Sequence, residues 1–435
     1  MVGPMRQNLA PSPARPLARL AALLLAALLL QPVPLRPAFA QDDDLPEGVE
    51  AYASTQAACF APGELAGLDA GIDAARQPLR GCASGVIPPE PKIVAAHAYK
   101  PGGGDKFDCA SLRRRQESSR FLYAFLGDVV AAAERGDNAC AAGMLRTWAE
   151  AGAMTSAAAN SPGPSRALGM FVFGGLSSAY LIHPEVRAAA GPAGEKAILA
   201  WFKRLSGRVA QDIAARRAMP RLDNILYWQG FSILPTALMT ADPELMRLSR
   251  GVFRTALDQV TTGEPDPADD GYLPLELRRG DKALGYQVFA TFPVAGMATL
   301  SRAYGCDFVD GAPRRAIFGD LVTRSVQGGL DPQSVAEAAV RLGAARTEIP
   351  QQKPATVRQT PGLMYLVNRM DPKLYGRIDA DLAATLGLPQ PVVSPGAGAG
   401  LVNERLGGSF GRLADQAAAL AAEPTPAPLR KVCGR

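Results

Sequence analysis

The sequence predicts an all-α protein, because apolar residues recur at helical spacing while alternating strand patterns are scarce. Hydrophobic residues make up 48% of the 435 positions, which is enough for a large core. One apolar helix face consists of Leu122, Phe125, Leu126, Val129 and Val130. A second face with the same spacing consists of Ile198, Trp201, Phe202, Leu205 and Val209.

Further helices are expected along the chain, with glycine and proline between them. They cover 138–154, 166–182, 228–239, 244–260, 282–303 and 334–343. The breaks fall at Ser161–Pro164, His183-Pro184, Gly191-Pro192 and Gly263–Pro267. Medium helices joined by short loops are typical of helical hairpins packed in a layer or a ring.

The first 40 residues have the pattern of a signal peptide. Arginines precede the apolar run Leu20–Leu30, and Ala38-Phe39-Ala40 offers small residues for cleavage near Gln41. The run is shorter than the roughly 20 residues that a spanning helix needs, so no membrane span is expected after cleavage. We predict a periplasmic protein, with secretion as the alternative; an uncleaved signal anchor stays open.

The remaining chain divides by composition. Residues 41–94 are proline-rich and form an irregular lead-in, and residues 95–385 form one helical domain. Residues 386–435 are a Gly/Pro/Ala-rich tail, for which we expect a loosely ordered end with one possible helix near Leu413–Ala422.

Charge and cysteine content restrict the partners and the chemistry. Residues 1–40 contain four arginines and no acids, so their removal lowers the formal charge from +5 to +1, which argues against a nucleic-acid partner. Six cysteines in an exported chain predict disulfides, and proximity suggests Cys59 with Cys82. With no Cys-x-x-Cys pair and two histidines, we predict no metal site.

Two segments stand out as candidate sites. Asp223–Trp228 places an amide, Asn224, beside an aromatic pair; its structural interpretation is a helix start with Asn224 as the cap. In Leu273–Tyr286, Asp281 can cap a helix, so that Arg279 and Tyr286 face one cleft. Alternatively, Arg279 is solvated and Tyr286 packs on a helix face.

These segments resemble motifs of the alginate lyase family of polysaccharide lyases. Members of the helical-toroid type carry Asn-Asn-His-x-Tyr-Trp and, later, Leu-Pro-Leu-Glu-Leu-x-Arg-Gly followed by Ala-Leu-x-Tyr. The second pattern is present at every fixed position of Leu273–Tyr286, whereas Ile225 stands at the histidine position of the first. Weaker similarities are Leu145–Ala151 and the loop Tyr99–Lys106. The resemblance covers roughly residues 95–345 and implies an α/α toroid.

The resemblance also implies a reaction and its residues. The protein would cleave a mannuronate-like uronic acid polymer by β-elimination, without a cofactor. Asn224 and Arg279 would offset the carboxylate charge, and Tyr286 would exchange protons. For mannuronate the proton and the leaving group lie on one face of the ring, so one tyrosine can serve as base and acid. The implied substrate-binding residues are Tyr227, Trp228, Trp148 and Lys100.

Two alternatives follow from Ile225. An isoleucine cannot accept a proton or donate a hydrogen bond, so the chain would be a catalytically silent relative that binds an anionic exopolysaccharide during export or assembly. The other alternative is lyase action on a different uronate polymer, whose less polar sugar face suits the apolar side chain.

Overall fold

The computed structural model of the chain describes residue 59 and residues 109–155, 163–218, 222–262, 270–279, 282–343 and 357–433. All of them belong to one compact unit, Leu45–Arg435. The signal peptide predicted at 1–40, almost all of the lead-in at 41–94 and the predicted binding residue Lys100 lie outside the described residues.

The described residues are almost entirely helical, which confirms the predicted fold class. The helices are α1 (Cys109–Glu134), α2 (Asn138–Glu150), α3 (Gly163–Ile182), α4 (Pro184–Arg217), α5 (Asn224–Thr240), α6 (Pro243–Asp258), α7 (Pro274–Leu277), α8 (Ala283–Ser301), α9 (Ala312–Leu330), α10 (Pro332–Arg341), α11 (Thr360–Met370), α12 (Pro372–Leu386), α13 (Phe410–Ala422) and α14 (Ala427–Cys433). Short 3₁₀ turns cover Ala303–Gly305 and Glu404–Leu406. Strands β1 (Val402–Asn403) and β2 (Gly408–Ser409) form a two-stranded antiparallel pair.

Helices α5 and α8 form the centre of the fold. They pack against each other, and α5 also contacts α3, α4 and α6, while α8 contacts α7, α9, α11 and α13. In α5, 14 of 17 residues are buried, and in α8 every residue except Tyr286 is buried. A helix that is apolar on all sides must be covered on all sides, which is why other helices surround this pair.

Both predicted apolar faces lie in the core. The five residues of the α1 face and the five of the α4 face are all buried. His183 separates α3 from α4, as its position before Pro184 predicts, and α4 is interrupted at Gly191, whose φ of 65° is not helical.

Two parts of the described chain have the length and composition of a membrane span. One is α8, 94% of whose apolar window is buried inside the protein, as in a core helix. The other is the bent pair Arg166–Ile182 and Pro184–Arg217.

The C-terminal part corrects the expectation of a loosely ordered end. The helix expected near Leu413–Ala422 is present as α13, and α14 follows it. Residues 402–409, here called the C-terminal segment, pack against α3: the Ser178 hydroxyl donates to the Leu406 carbonyl, and the Ser409 N–H donates to the Glu134 carboxylate of α1. These hydrogen bonds and the burial of Leu406 anchor the segment to the core, while Val402 and Glu404 are exposed.

Small residues permit this close packing. A Cβ on Gly175 of α3 would lie 2.4 Å from the Glu404 carbonyl oxygen, and a Cβ on Gly407 would lie 2.3 Å from the Ala179 nitrogen. Gly407 also has a φ of 91°, a conformation that favours glycine. The glycine content of the tail suggested a flexible chain, but Gly407 instead allows the C-terminal segment to approach α3 closely.

Disulfides correct the guess made from proximity. Cys59 pairs with Cys109 instead of Cys82, and Cys306 pairs with Cys433. Cys140 is disulfide-bonded as well. Closeness along the chain does not decide pairing, since a bridge needs Cα atoms close in space, here 5.0 Å and 4.6 Å apart. The second bridge links the end of the chain to the turn after α8.

Gly407→Ala should destabilise the protein by about 2 kcal/mol or more, because the new Cβ collides with α3 and the φ value is unfavourable for alanine. Urea denaturation followed by circular dichroism measures the change. Gly400→Ala is the matched control, since a Cβ there meets nothing within 4 Å. Equal denaturation midpoints for the two variants would contradict this account of the segment.

Candidate functional site

The first motif lies at the start of α5. The helix is capped by Asp223, whose carboxylate accepts the Ile225 N–H at 3.2 Å, so Asn224 is the first helical residue and not the cap. Asn224 is 3% exposed. Ile225, at the position of the motif histidine, is partly buried and packs against the hydrophobic core.

A buried hydrogen-bonded pair joins the two motifs. The backbone N–H and the side-chain amide of Asn224 donate to the two carboxylate oxygens of Glu276, each at 2.8 Å. Glu276 is 1% exposed and belongs to the Leu-Pro-Leu-Glu-Leu run at α7. The pair fixes the Asn224 side chain and the start of α5 relative to the loop that carries Arg279.

Sequence reasoning overlooked Glu276. The available signal was a lone carboxylate among four apolar neighbours, Leu273–Leu277, where a charge is buried only with hydrogen-bond partners. Burial raises the pKa of Glu276 to about 7, and the hydrogen bonds from Asn224 only partly offset that effect.

In the second motif, the positively charged side chain of Arg279 lies over the ring of Tyr286, the candidate proton-transfer residue. The Arg279 guanidinium carbon lies 4.3 Å from the centroid of the Tyr286 ring. Tyr286, in the first turn of α8, is the one residue of that helix that is not fully buried. The ring edge meets Phe289 at 6.5 Å between centroids. Asp281, the predicted cap, lies outside the described residues.

The predicted aromatic binding residues differ in their surroundings. Trp228 is 2% exposed, donates its Nε1–H to the Phe289 carbonyl at 3.2 Å and forms part of a cavity wall. Tyr227 is 1% exposed and donates its hydroxyl to Gln259; burial raises its pKa well above 10. Trp148 has no exposed surface and stacks on Phe125, with centroids 3.7 Å apart. A sugar ring cannot stack on Trp148, which corrects that assignment.

A cavity of about 390 Å³ lies beside Trp228. Its lining residues come from α1, α5, α8, the residue before α11 and the C-terminal segment: Tyr123, Trp228, Phe289, Phe292, Gln359, Val402, Asn403, Glu404 and Arg405. Of the predicted site residues that the structure describes, Trp228 alone is among the lining residues of this cavity. Phe289 links the two regions. Its ring centroid lies 6.5 Å from the centroid of Tyr286 and 5.3 Å from the guanidinium carbon of Arg405.

Metal-ligating residues are not grouped in the part of the chain that the structure describes: no three of its His, Cys, Asp and Glu side chains could hold one ion together.

Glu276→Gln tests the titration of this buried carboxyl. With a pKa of about 7 in place of 4.5, the folded protein holds a proton that the unfolded chain has already released. The stability contributed by Glu276 is therefore present below about pH 4.5 and lost as the pH rises to about 7. The free energy of unfolding, wild type minus variant, should fall by about 3 kcal/mol across that interval. Urea titrations between these pH values measure it, and a difference independent of pH would refute the assignment.

Known proteins are similar to the part of the chain that contains the central helices α5 and α8. The family model described as Alginate lyase matches residues 124–335, which contain both motifs. A curated alginate lyase of Pseudomonas syringae pv. tomato is 33% identical over 207 residues, which cover 46% of this chain and 50% of that protein. A polysaccharide lyase of Stenotrophomonas maltophilia is 29% identical over 254 residues, covering 56% of this chain and 72% of that protein.

The alginate lyase of Pseudomonas aeruginosa strain LESB58 is 32% identical over 175 residues, which cover 40% of this chain and 45% of that protein. The chain thus spans about half the length of the curated alginate lyases it matches.

Solved structures agree on the fold. Two variants of alginate lyase A1-III complexed with tetrasaccharide superpose with TM-scores of 0.51 and 0.52 at 16% identity; the first covers 79% of this chain and 93% of that one. The fold is therefore the α/α toroid that the motifs imply. Residues 124–335 therefore form a domain of the alginate lyase family.

Proposed function

We propose that the protein is a polysaccharide lyase that cleaves a mannuronate-like uronic acid polymer, alginate, by β-elimination. The observation that carries the proposal is the Arg279 guanidinium placed 4.3 Å over the ring of Tyr286, the one incompletely buried residue of α8. This contact places a fixed positive charge beside the tyrosine that is proposed to exchange protons with the uronate.

Elimination begins with removal of the proton at C5 of the uronate. The carboxylate beside that carbon must have its charge offset, which Arg279 and the Asn224 amide would do. The C5–H electron pair forms the C4–C5 double bond while the C4–O4 bond breaks. The proton passes to the Tyr286 oxygen, and Tyr286 returns it to the departing O4. Atoms and charge balance without a cofactor.

Glu276 has a positioning role in this scheme. Its two hydrogen bonds hold Asn224 in place without contact to the polymer. Trp228, at the cavity wall, would provide a surface for the sugar ring, since aromatic faces pack against apolar ring faces. Tyr227 is buried, so it would stabilise the start of α5 and would not contact substrate.

The relatives support the substrate class. The matched Pseudomonas proteins are alginate lyases, and the superposed A1-III structures contain a tetrasaccharide. An anionic polysaccharide is therefore the proposed partner; nucleic acid and a membrane are not proposed.

We also propose that the protein acts in the periplasm. The segment 1–40 has the arginines, apolar run and Ala-x-Ala site of a cleaved signal peptide. The disulfides Cys59–Cys109 and Cys306–Cys433 suit an oxidising compartment outside the cytoplasm.

Tyr286→Phe should lower kcat on mannuronate-rich alginate by about 100-fold or more, because it removes the group that exchanges protons. Ultraviolet absorbance of the unsaturated uronate product measures the rate. Tyr304→Phe, beyond the other end of α8, is the control and should retain activity. A wild-type protein that binds alginate without producing this absorbance, on any polyuronate of a panel, would reject the enzyme in favour of the silent binding protein.

Ile225→His should raise kcat relative to wild type, because it restores a group that can exchange protons near neutral pH at the position the family motif gives to histidine. The same absorbance assay measures the gain, and Ile225→Asn, polar but unable to exchange protons near neutral pH, is the matched control. Equal rates for wild type and Ile225→His would show that this position does not limit the reaction.

A further inference from the structure

We propose that a cavity between the starts of α9 and α12, remote from Tyr286, binds the carboxylates of a second stretch of the acidic polymer. The inference rests on the polymer class of the proposed function and adds a second binding site to it. The cavity has a volume of about 370 Å³. Three cationic side chains line it, Arg315 of α9 and Lys373 and Arg377 of α12, together with one carboxylate, Asp371.

This second site lies at the end of α8 opposite to Tyr286. Tyr286 is in the first turn of that helix, whereas Arg302 follows its last turn. The Arg302 guanidinium donates to the carbonyl of Met370, the residue before Asp371, at 2.5 Å. The length of α8 therefore separates Tyr286 from the second site by about 20 Å. A short oligomer bound at Tyr286 cannot reach the second site, but a long polymer chain can.

The cations lie where helix electrostatics disfavour them. Arg315 is in the first turn of α9 and Lys373 in the first turn of α12, and neither helix has an acidic residue in that turn. Because the N-terminal end of a helix carries partial positive charge, a cation there costs free energy. Such departures from local preference are expected mainly at functional or strained sites. Two of them at one cavity indicate a surface suited to anions.

The Asp371 carboxylate already has partners within the protein. Its Oδ1 accepts the backbone N–H groups of Lys373 and Leu374, each at 3.1 Å, and so caps α12. Its Oδ2 lies 3.4 Å from Nε of Arg315. The negative charge of Asp371 therefore stabilises the helix start and one arginine.

The other two cations leave an excess of positive charge. Arg377 donates to the Ala316 carbonyl at 3.2 Å and lies 3.6 Å from the Asp320 carboxylate. The Lys373 ammonium has no ion-pair partner among the residues that the structure describes. Three cations thus meet two carboxylates, Asp320 and Asp371, and the second site attracts a further negative charge.

A repeating polyanion fits the second site better than a single small anion. Arg315, Lys373 and Arg377 are exposed, and exposed ion pairs contribute little to binding individually. A polymer with a carboxylate on each sugar can meet several cations at once. If it also occupies the site at Tyr286, its remaining carboxylates are present at high effective concentration. Among the described lining residues none is aromatic, so recognition would depend on charge and not on stacking.

Lys373→Glu tests the second site on a Tyr286→Phe background, where bound polymer is not consumed. An acid suits the first turn of α12, so the variant should fold, which circular dichroism checks. Calorimetric titration compares long polymannuronate with a mannuronate trisaccharide, which is too short to span both sites. We expect Lys373→Glu to weaken polymer binding about fivefold or more, because it reverses one charge, and to bind the trisaccharide as the background does.

Two comparisons make this test specific. Lys196→Glu reverses an exposed lysine of α4 that lines neither cavity, and it should bind the polymer as the background does. At about 1 M salt the Debye length is about 3 Å, so the difference in polymer affinity between Lys373→Glu and the background should disappear.

Lysine acetylation with acetic anhydride, followed by mass spectrometry, measures occupancy of the second site directly. In the Tyr286→Phe protein, long polymannuronate should protect Lys373 and leave Lys196 reactive, while the trisaccharide at the same occupancy of the site at Tyr286 should protect neither. Inorganic phosphate at matched ionic strength should not remove the protection.

Several outcomes overturn the second site. They are equal polymer affinity of Lys373→Glu and its background, equal weakening for polymer and trisaccharide, absence of Lys373 protection, and loss of that protection to phosphate, which would indicate a site for a small oxyanion. If wild-type protein cleaves alginate while any of these is observed, the second site is wrong and the proposed function stands. If the polymer protects Lys373 but wild-type protein cleaves no polyuronate, the second site stands and the proposed function is wrong.

Discussion

The contact between helices α5 and α8 is the constraint on which the remaining structure depends. Each is apolar on nearly all of its surface, so neither can face water, and each must be covered by other helices on every side. Helices α3, α4, α6, α7, α9, α11 and α13 provide this cover. The two motifs lie at the starts of this buried pair, where polar side chains can leave the core without exposing the apolar faces.

Because the starts of α5 and α8 are held rigidly, the few residues of the candidate site have fixed positions. Asn224 donates two hydrogen bonds to Glu276 in a nearly water-free environment, where directional bonds are strong and their loss is costly. Glu276 has no alternative partner in solvent because it is 1% exposed. Glu276, which is not proposed to contact substrate, thus determines the position of Asn224, which is proposed to do so.

Much of the fold could be predicted from the sequence, because helical periodicity reports directly on burial. The faces containing Leu122 and Ile198 are in the core, and the break at His183 lies where proline predicts it. The helix expected near Leu413–Ala422 is present as Phe410–Ala422. Composition misled elsewhere in the tail, because glycine is equally typical of mobile chain and of close contact, as at Gly407.

The candidate site was predicted only where residues lie close in sequence. Arg279 and Tyr286 share one motif, and they are in contact. Trp148 was assigned to substrate by likeness of its helix, but burial is a tertiary property that a single helix pattern does not reveal. Arg405 lies more than a hundred residues beyond the motifs, so nothing in its local sequence indicates the aromatic rings around it.

The place of residues 402–409 in the chain has a consequence for the order of assembly. A polypeptide is made from its N-terminus, and early parts can begin to fold before later ones are present. The helices that present Tyr286 come more than a hundred residues ahead of the segment that completes the neighbouring cavity. During synthesis, the helices that carry the two motifs are therefore present before the C-terminal segment. A nascent chain has these helices while the cavity wall formed by residues 402–409 is still missing.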